Sequence, residues 1–201
     1  IPRIDIVALD ALGEVRADDY LPSAPTFQVT IRDSAGIDLN TVRFSLAGSG
    51  EVQEGDYEAG RIQDRQVTPT SLSFIYAPAA LEDDRYGFTV SAVDKLGNGP
   101  SQKTLAFQVS SNLLIESVLV SPNPVAQDAH FTFVLSRPAE VTVRVFTLSG
   151  RLIAQLEDPL ARAGYNQVAW TGLDNKGRLL ANGTYLYTIT AEDGESDVRV
   201  K

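Results

Sequence analysis

One histidine and no cysteine leave this chain of 201 residues few ways to do chemistry. A Ser–His–acid relay would have to use His130, and no G-x-S-x-G turn presents a serine to it. Side chains alternate between the faces of a strand, so His130, opposite in parity to Phe131, Phe133 and Leu135, faces away from their core. It reads as a solvent-facing structural residue. Lacking cysteine, the chain has no disulfide, thiolate nucleophile or thiolate metal site. Paired carboxylates can run glycoside hydrolysis, but Asp18-Asp19, Asp83-Asp84 and Glu157-Asp158 fall in expected turns, where clustered charges are solvated. No catalytic residue is assigned.

Calcium is the one cofactor the residue types admit. Hard oxygen ligands stand in the turns, with Asp94 and Asn98 beside Asp83 and Asp84 as one candidate set and Asp174 with Asn175 as another. Neither has the D-x-[DN]-x-[DN]-G spacing of a dedicated loop. Asp and Asn also favour turns through hydrogen bonds to nearby backbone. Exposed aromatic rings could grip a sugar: Tyr20, Tyr57 and Tyr165 fall in expected loops, though scattered rather than aligned. The single Trp170 shares parity with Val168, which favours core packing.

These residues need a scaffold, and a repeated phrase says what kind. Tyr86-Gly-Phe88-Thr89-Val90-Ser91-Ala92-Val-Asp94 recurs as Tyr185-Leu-Tyr187-Thr188-Ile189-Thr190-Ala191-Glu-Asp193. In both copies an aromatic opens a strand whose inward positions step by two. The tyrosine after a turn resembles the one in immunoglobulin-type sandwiches whose hydroxyl ties down the preceding connection. Each half of the chain has the usual size of one such sandwich. The expected fold is therefore all-β, two tandem immunoglobulin-like β-sandwiches, residues 1–111 and 112–201, with Ser110-Ser111-Asn112 as a short joint.

Strands are expected at 4–9, 26–31, 41–46, 72–76, 86–93 and 103–109 in the first half. The second half offers 114–120, 130–135, 140–146, 152–156, 167–170, 185–190 and 197–200. Between Ala47 and Thr70 the alternation dissolves among four glycines and five acidic residues, which predicts a long irregular excursion with at most a short strand near Tyr57–Ile62. Expected core residues are Phe27, Val29, Phe44, Phe88, Val90 and Phe107 in one half. In the other they are Phe131, Phe133, Val143, Val145, Trp170, Tyr187 and Ile189.

A hydrophobic content of 43% with 21% charged residues excludes a disordered class. No apolar run approaches the roughly 18 residues that span a bilayer. The net charge of −9 is uneven, with 9 basic and 16 acidic residues in 1–111 against 8 and 10 in 112–201. Neither half has the cationic footprint that phosphate binding needs, so nucleic acid is excluded as a partner. The absence of methionine, even at position 1, reads as a fragment or processed product, so the lack of a signal segment does not argue for the cytosol.

The second half resembles a known family. Its motifs are Ser121-Pro122-Asn123-Pro124, Phe131-Thr-Phe133, Val141 through Phe146 with Gly150, Trp170-Thr-Gly172-Leu-Asp174-Asn-Lys-Gly177 and Ala181-Asn-Gly183-Thr-Tyr185-Leu-Tyr187. They are similar to FlgD-type immunoglobulin-like domains and to the C-terminal sorting domains of the type IX secretion system. The first half, with Ser34-Ala-Gly36-Ile37-Asp38 and Tyr86 through Asn98, resembles bacterial Ig-like domains. The pair in this order is similar to the C-terminal end of PorU-type, gingipain-related sortases, whose catalytic Cys and His lie upstream and match no position here.

That resemblance implies a non-catalytic C-terminal module of a bacterial secreted or cell-surface protein. It would act as spacer and as secretion, anchoring or protein-interaction domain at the extracellular or outer-membrane surface. The expected partner is a protein of the envelope or secretion machinery, or the upstream domain of the same polypeptide. The alternatives are a carbohydrate-binding accessory module of a secreted hydrolase and a flagellar hook-capping scaffold. Export information would reside in Asn182–Lys201, whose last strand lies at a sheet edge, whereas the acidic excursion Glu51–Asp64 would be dispensable.

Overall fold

A computed structural model describes residues 1–10, 13–15, 20–50 and 52–200; the pair Asp18-Asp19 lies outside them. The chain divides into two compact units, Ile1–Ser110 and Ser111–Lys201. Both are antiparallel β-sandwiches of immunoglobulin type. The only helical element described is one 3-10 turn, Leu39–Thr41, capped by the Asp38 side chain on the Asn40 amide at 3.1 Å.

In the first unit β1 (Arg3–Asp10), β2 (Gly13–Val15), β3 (Thr26–Arg32), β4 (Arg43–Ala47), β5 (Val52–Asp56), β6 (Ile62–Val67), β7 (Ser71–Tyr76), β8 (Asp84–Ala92) and β9 (Ser101–Val109) follow in order. One sheet runs β2-β1-β3-β7-β6 and the other β5-β4-β8-β9. Register turns the period-two pattern into rows: Ile4, Ile31 and Leu72 align across three strands, then Ile6, Val29 and Phe74, then Ala8, Phe27 and Tyr76. The facing sheet supplies Phe44, Leu46, Phe88 and Val90. The rings interlock at the centre, with Phe27 to Phe88 at 4.5 Å, Tyr76 to Phe88 at 5.2 Å and Phe44 to Tyr76 at 4.5 Å between centroids. Each such side chain taken wholly from water stabilises the unit by roughly 1.5–3 kcal/mol.

The excursion between Ala47 and Thr70 is ordered, contrary to the pattern's prediction. It carries two strands, β5 on β4 and β6 on β7, and so passes from one sheet to the other. The expected strand near Tyr57–Ile62 is instead the crossing turn, with Tyr57 pointing into the core from it and Ile62 from the start of β6. Alternation failed to show here because both are edge strands with mostly solvated side chains, so neither displays a buried row.

The second unit holds seven strands: β10 (Ile115–Ser121), β11 (Ala129–Leu135), β12 (Ala139–Thr147), β13 (Leu152–Ala161), β14 (Gly164–Trp170), β15 (Tyr185–Glu192) and β16 (Asp197–Val200). They form sheets β10-β11-β14 and β13-β12-β15-β16. Phe131, Phe133 and Leu135 from one sheet meet Val141, Val143, Val145 and Ile189 from the other. All the expected core residues of both units are buried except Tyr187, which is half-buried.

The repeated phrase marks equivalent places. Tyr86 donates its hydroxyl to the Glu82 carbonyl at 3.0 Å, and Tyr185 donates to the Ala181 carbonyl at 2.6 Å, each four residues back. Both tie down the connection that enters the strand.

Candidate functional site

The acidic candidates serve as turn fasteners. Asp94 ends the first copy of the phrase with its side chain buried, accepting from the Leu96 and Asn98 amides and from the Asn98 side chain at 2.8–2.9 Å. Asp193, its counterpart, accepts from the Glu195 and Ser196 amides and faces Arg137 at 3.4 Å. Asp174 holds Arg178 through two nitrogens at 3.0 and 2.7 Å and takes the Lys176 and Arg178 amides as well. Asp84 accepts from the Ser49 amide and hydroxyl, both at 2.6 Å.

Hydrogen bonds to a carboxylate favour its charged form. The Asn98 side chain holds Asp94 below the ordinary carboxylate range, the Ser49 hydroxyl does so for Asp84, and the Ser196 amide for Asp193. The Arg178 guanidinium takes Asp174 down to about 2.

The calcium set proposed from Asp83, Asp84 and Asp94 is not assembled. Asp83 and Asp84 stand at the start of β8 and Asp94 just past its end, and ten residues of extended chain separate them by about 30 Å. Asp174 has its oxygens on Arg178 and backbone amides. Among the described residues no group of three or more His, Asp and Glu side chains is placed to hold an ion.

His130 sits on β11, half-buried, on the face opposite Phe131 and Phe133. The tyrosines expected in exposed loops are placed otherwise. Tyr20 and Tyr57 are buried, and Tyr57 lies under the Arg65 guanidinium at 5.4 Å, with burial raising its hydroxyl pKa. Tyr165 is half-buried on β14. Trp170 is buried 6.0 Å from Phe131 and donates its indole N–H to the Leu173 carbonyl at 3.0 Å. No row of rings is left for a sugar among these four.

What the second unit does present is a cleft of about 530 Å³. Val120, Phe131, Val145, Trp170 and Tyr187 form its apolar walls, and exposed Val125, Leu179 and Leu186 stand at its rim. Asn123, Gln127, Asn182 and Thr184 add neutral polar groups, and none of the lining residues is charged. Two loops shape it, the β10–β11 connection and the segment between β14 and β15. They are pinned together at Gly172, whose φ is +71° and where a side chain would run into the Gln127 carbonyl oxygen. Such a surface can bind by burial and neutral hydrogen bonds, and its lining holds no carboxylate, imidazole, amine or thiol.

The cleft lies beside a sheet edge. β16 pairs with β15 from Ile189 to Glu192 only, through a hairpin closed by the Asp193 amide on the Ser196 carbonyl. Antiparallel pairs alternate between bonded and non-bonded. Continuing from that closing bond, Val198 and Val200 turn their backbone groups to β15, while Asp197 and Arg199 turn theirs outward. On β15 the same alternation points the Tyr185 and Tyr187 backbone groups to the β16 side, where no described strand meets them.

Residues 121–195 match the family model of the FlgD Ig-like domain, beginning at the first residue of the Ser-Pro-Asn-Pro motif. No curated protein matches the chain. Among solved structures it is similar to dimeric latent PorU from Porphyromonas gingivalis, with 18% identity and a TM-score of 0.43, over 100% of this chain and 19% of that one. The chain thus spans about a fifth of that protein's length. It is also similar to the amphioxus IgVJ-C2 molecule, with 13% identity and a TM-score of 0.24, over 86% of this chain and 93% of that one. Among the described residues no helix is long and apolar enough to cross a membrane.

Proposed function

We propose that the two sandwiches are a non-catalytic module of a bacterial secreted or cell-surface protein, acting as spacer and as the part that an envelope or secretion protein grips. The observation that carries this reading is the edge of the second sandwich. There a short strand, β16, just past the stretch that matches the FlgD Ig-like family, offers outward backbone groups beside an uncharged apolar cleft. Sheet edges bind partners through main-chain hydrogen bonds, with neighbouring pockets reading the side chains. The titratable groups with shifted pKa values stand in turns or core, and none lines the cleft, which fits recognition better than reaction.

The test is made in the native host with the full-length parent. Arg199→Pro removes an outward N–H from β16 and the guanidinium contact to the Thr190 hydroxyl at 3.4 Å while leaving the backbone bonds to β15 in place, and proline is tolerated on the open side of an edge strand. Deletion of residues 197–201 removes the strand. If the edge is gripped, both variants remain folded and are found inside the outer membrane in cell fractions, whereas the intact protein is at the surface. Surface delivery of both at the intact level would leave the module a spacer only.

A further inference from the structure

The outer face of the β5-β4-β8-β9 sheet in the first sandwich is hollow along its middle. Register places Asp56, Arg43, Ser91 and Gln102 in one row across the four strands and Glu54, Ser45, Thr89 and Thr104 in the next. Small hydroxyl side chains on the two central strands lie between longer ones on the flanking strands. The result is a trough of about 490 Å³, floored by Ser45, Thr89 and Ser91 and walled by Glu54 and Asp56 on one side and Gln102 on the other. Arg43 closes one end, its guanidinium held by the Asn40 and Val42 carbonyls at 2.9 and 2.8 Å.

The floor continues in the following row with Ala47 and Gly87. Glycine weakens a strand interior and marks a bulge, a bend or the close approach of something else. At Gly87 the register runs unshifted to both neighbouring strands, φ lies outside the left-handed region, and a Cβ would sit an ordinary 3.5 Å from the Thr104 methyl. None of these calls for glycine. Gly55 differs, because the Phe44 ring occupies the place its Cβ would take. The second sandwich carries bulk at the same positions: by strand pairing and the repeated phrase, Gly87, Ala47 and Ser45 correspond to Leu186, Phe146 and Arg144. The trough is thus a property of the first unit's residues and not of the fold, and close approach from outside is what accounts for Gly87.

We propose that this trough binds a neutral oligosaccharide laid along the strands. Carboxylates accept hydrogen bonds, a guanidinium donates them, and hydroxyls and amides do both. Vicinal sugar hydroxyls, which donate and accept from adjacent carbons, match all three kinds at once. Two carboxylates against one guanidinium disfavour an anionic chain, and a floor of hydroxyls offers little burial to an apolar one. A polypeptide cannot dock here by strand addition, since β4 and β8 are each paired on both edges. The binding groups stand on paired strands and are fixed before the ligand arrives, which lowers the cost of ordering them. Such a site grips hydroxyls instead of stacking on sugar rings, and so needs none of the tyrosines.

The test is an NMR titration of the purified chain with cellohexaose, mannohexaose and maltohexaose, and with hexagalacturonate as the charged control. At millimolar sugar at least one neutral hexamer should shift the Ser45, Thr89 and Ser91 amides saturably, and hexagalacturonate should not. Gly87→Leu and Ser45→Arg put into the trough the side chains that the second sandwich carries at those positions. Each should weaken binding by about tenfold or more and leave the thermal transition in place. The chain has no cysteine, so Ser45→Cys supplies a single thiol, whose labelling by iodoacetamide should slow when the sugar is bound. No shift with any neutral hexamer, shifts confined to other surfaces, an equal response to hexagalacturonate, or binding that survives both substitutions would overturn the proposal. So would labelling that slows with protein concentration in the absence of sugar, which assigns the face to a second copy of the chain. Neither arm involves β16, so this result and the Arg199→Pro fractionation fail independently.

Discussion

Tyr86 and Tyr185 each spend a hydroxyl on the carbonyl four residues back, a bond that fixes how the chain enters β8 and β15. Replacing either with Phe keeps the ring and deletes the bond. Each substitution should lower stability by about 1 kcal/mol in urea titrations, the usual net value of one hydrogen bond. Gly172→Ala should cost more, about 1–2 kcal/mol or above, since it forces a side chain into the left-handed region and onto the Gln127 carbonyl. His130→Ala, on the outer face of β11, should stay within about 0.5 kcal/mol, and a larger loss would mean the imidazole has work not visible in its surroundings. At this scale the sequence spoke clearly about parity: the outward His130 and the inward Trp170 follow from period two, while the tyrosine bond was what the resemblance to immunoglobulin-type sandwiches implied. It spoke poorly about Asp. The same residue types that ligate calcium also fasten turns, and only the structure places Asn98, Arg178 and Ser49 against Asp94, Asp174 and Asp84 as fasteners.

At the scale of elements, strands with a buried face were legible and strands without one were not. All seven strands of the second unit and the six alternating strands of the first stand where periodicity puts them, to within a few residues. β5 and β6 escaped because their side chains are mostly solvated, and Tyr57 and Ile62, which do point inward, are five residues apart across a turn. The acidic excursion is therefore part of the first sandwich. Replacing residues 51–64 with a short Gly-Ser linker removes an edge from each sheet and two core side chains, and the first unit should then lose its cooperative thermal transition by circular dichroism. A variant that melts as the intact chain does would show that β5 and β6 add nothing to the core. The cleft was illegible for a related reason: its walls come from β10, β11, β12, β14 and β15 and from two loops, and only their packing brings Val120, Phe131, Val145, Trp170 and Tyr187 together.

Across the whole molecule the fasteners couple stability to acid. Asp94 and Asp84 in the first unit, and Asp174 and Asp193 in the second, have folded pKa values lowered from the ordinary 3.8. A carboxyl that binds its proton less readily when folded stabilises the fold above its unfolded pKa and ceases to as pH falls through its folded one. Urea midpoints should thus be level from neutral pH to about 5, fall below about 4 and keep falling toward 2. Asp174→Asn should remove part of the lowest portion of that fall, because its folded value of about 2 sets that end. A midpoint independent of pH from 5 to 2 would contradict the role given to these four side chains.

Three of the sheet edges have a consequence for assembly. β6 is interrupted at Asp64, with φ of +47°, β10 at Ser117, with φ of +52°, and β13 holds Pro159, which has no N–H to give. Each breaks the straight row of donors and acceptors that another molecule would need in order to stack on. Growth by repeated strand addition needs two good edges per molecule, one to receive and one to pass on. With these three blunted, growth cannot pass along them. Any self-association that light scattering finds in concentrated solutions should therefore be insensitive to charge substitutions on β6, β10 and β13.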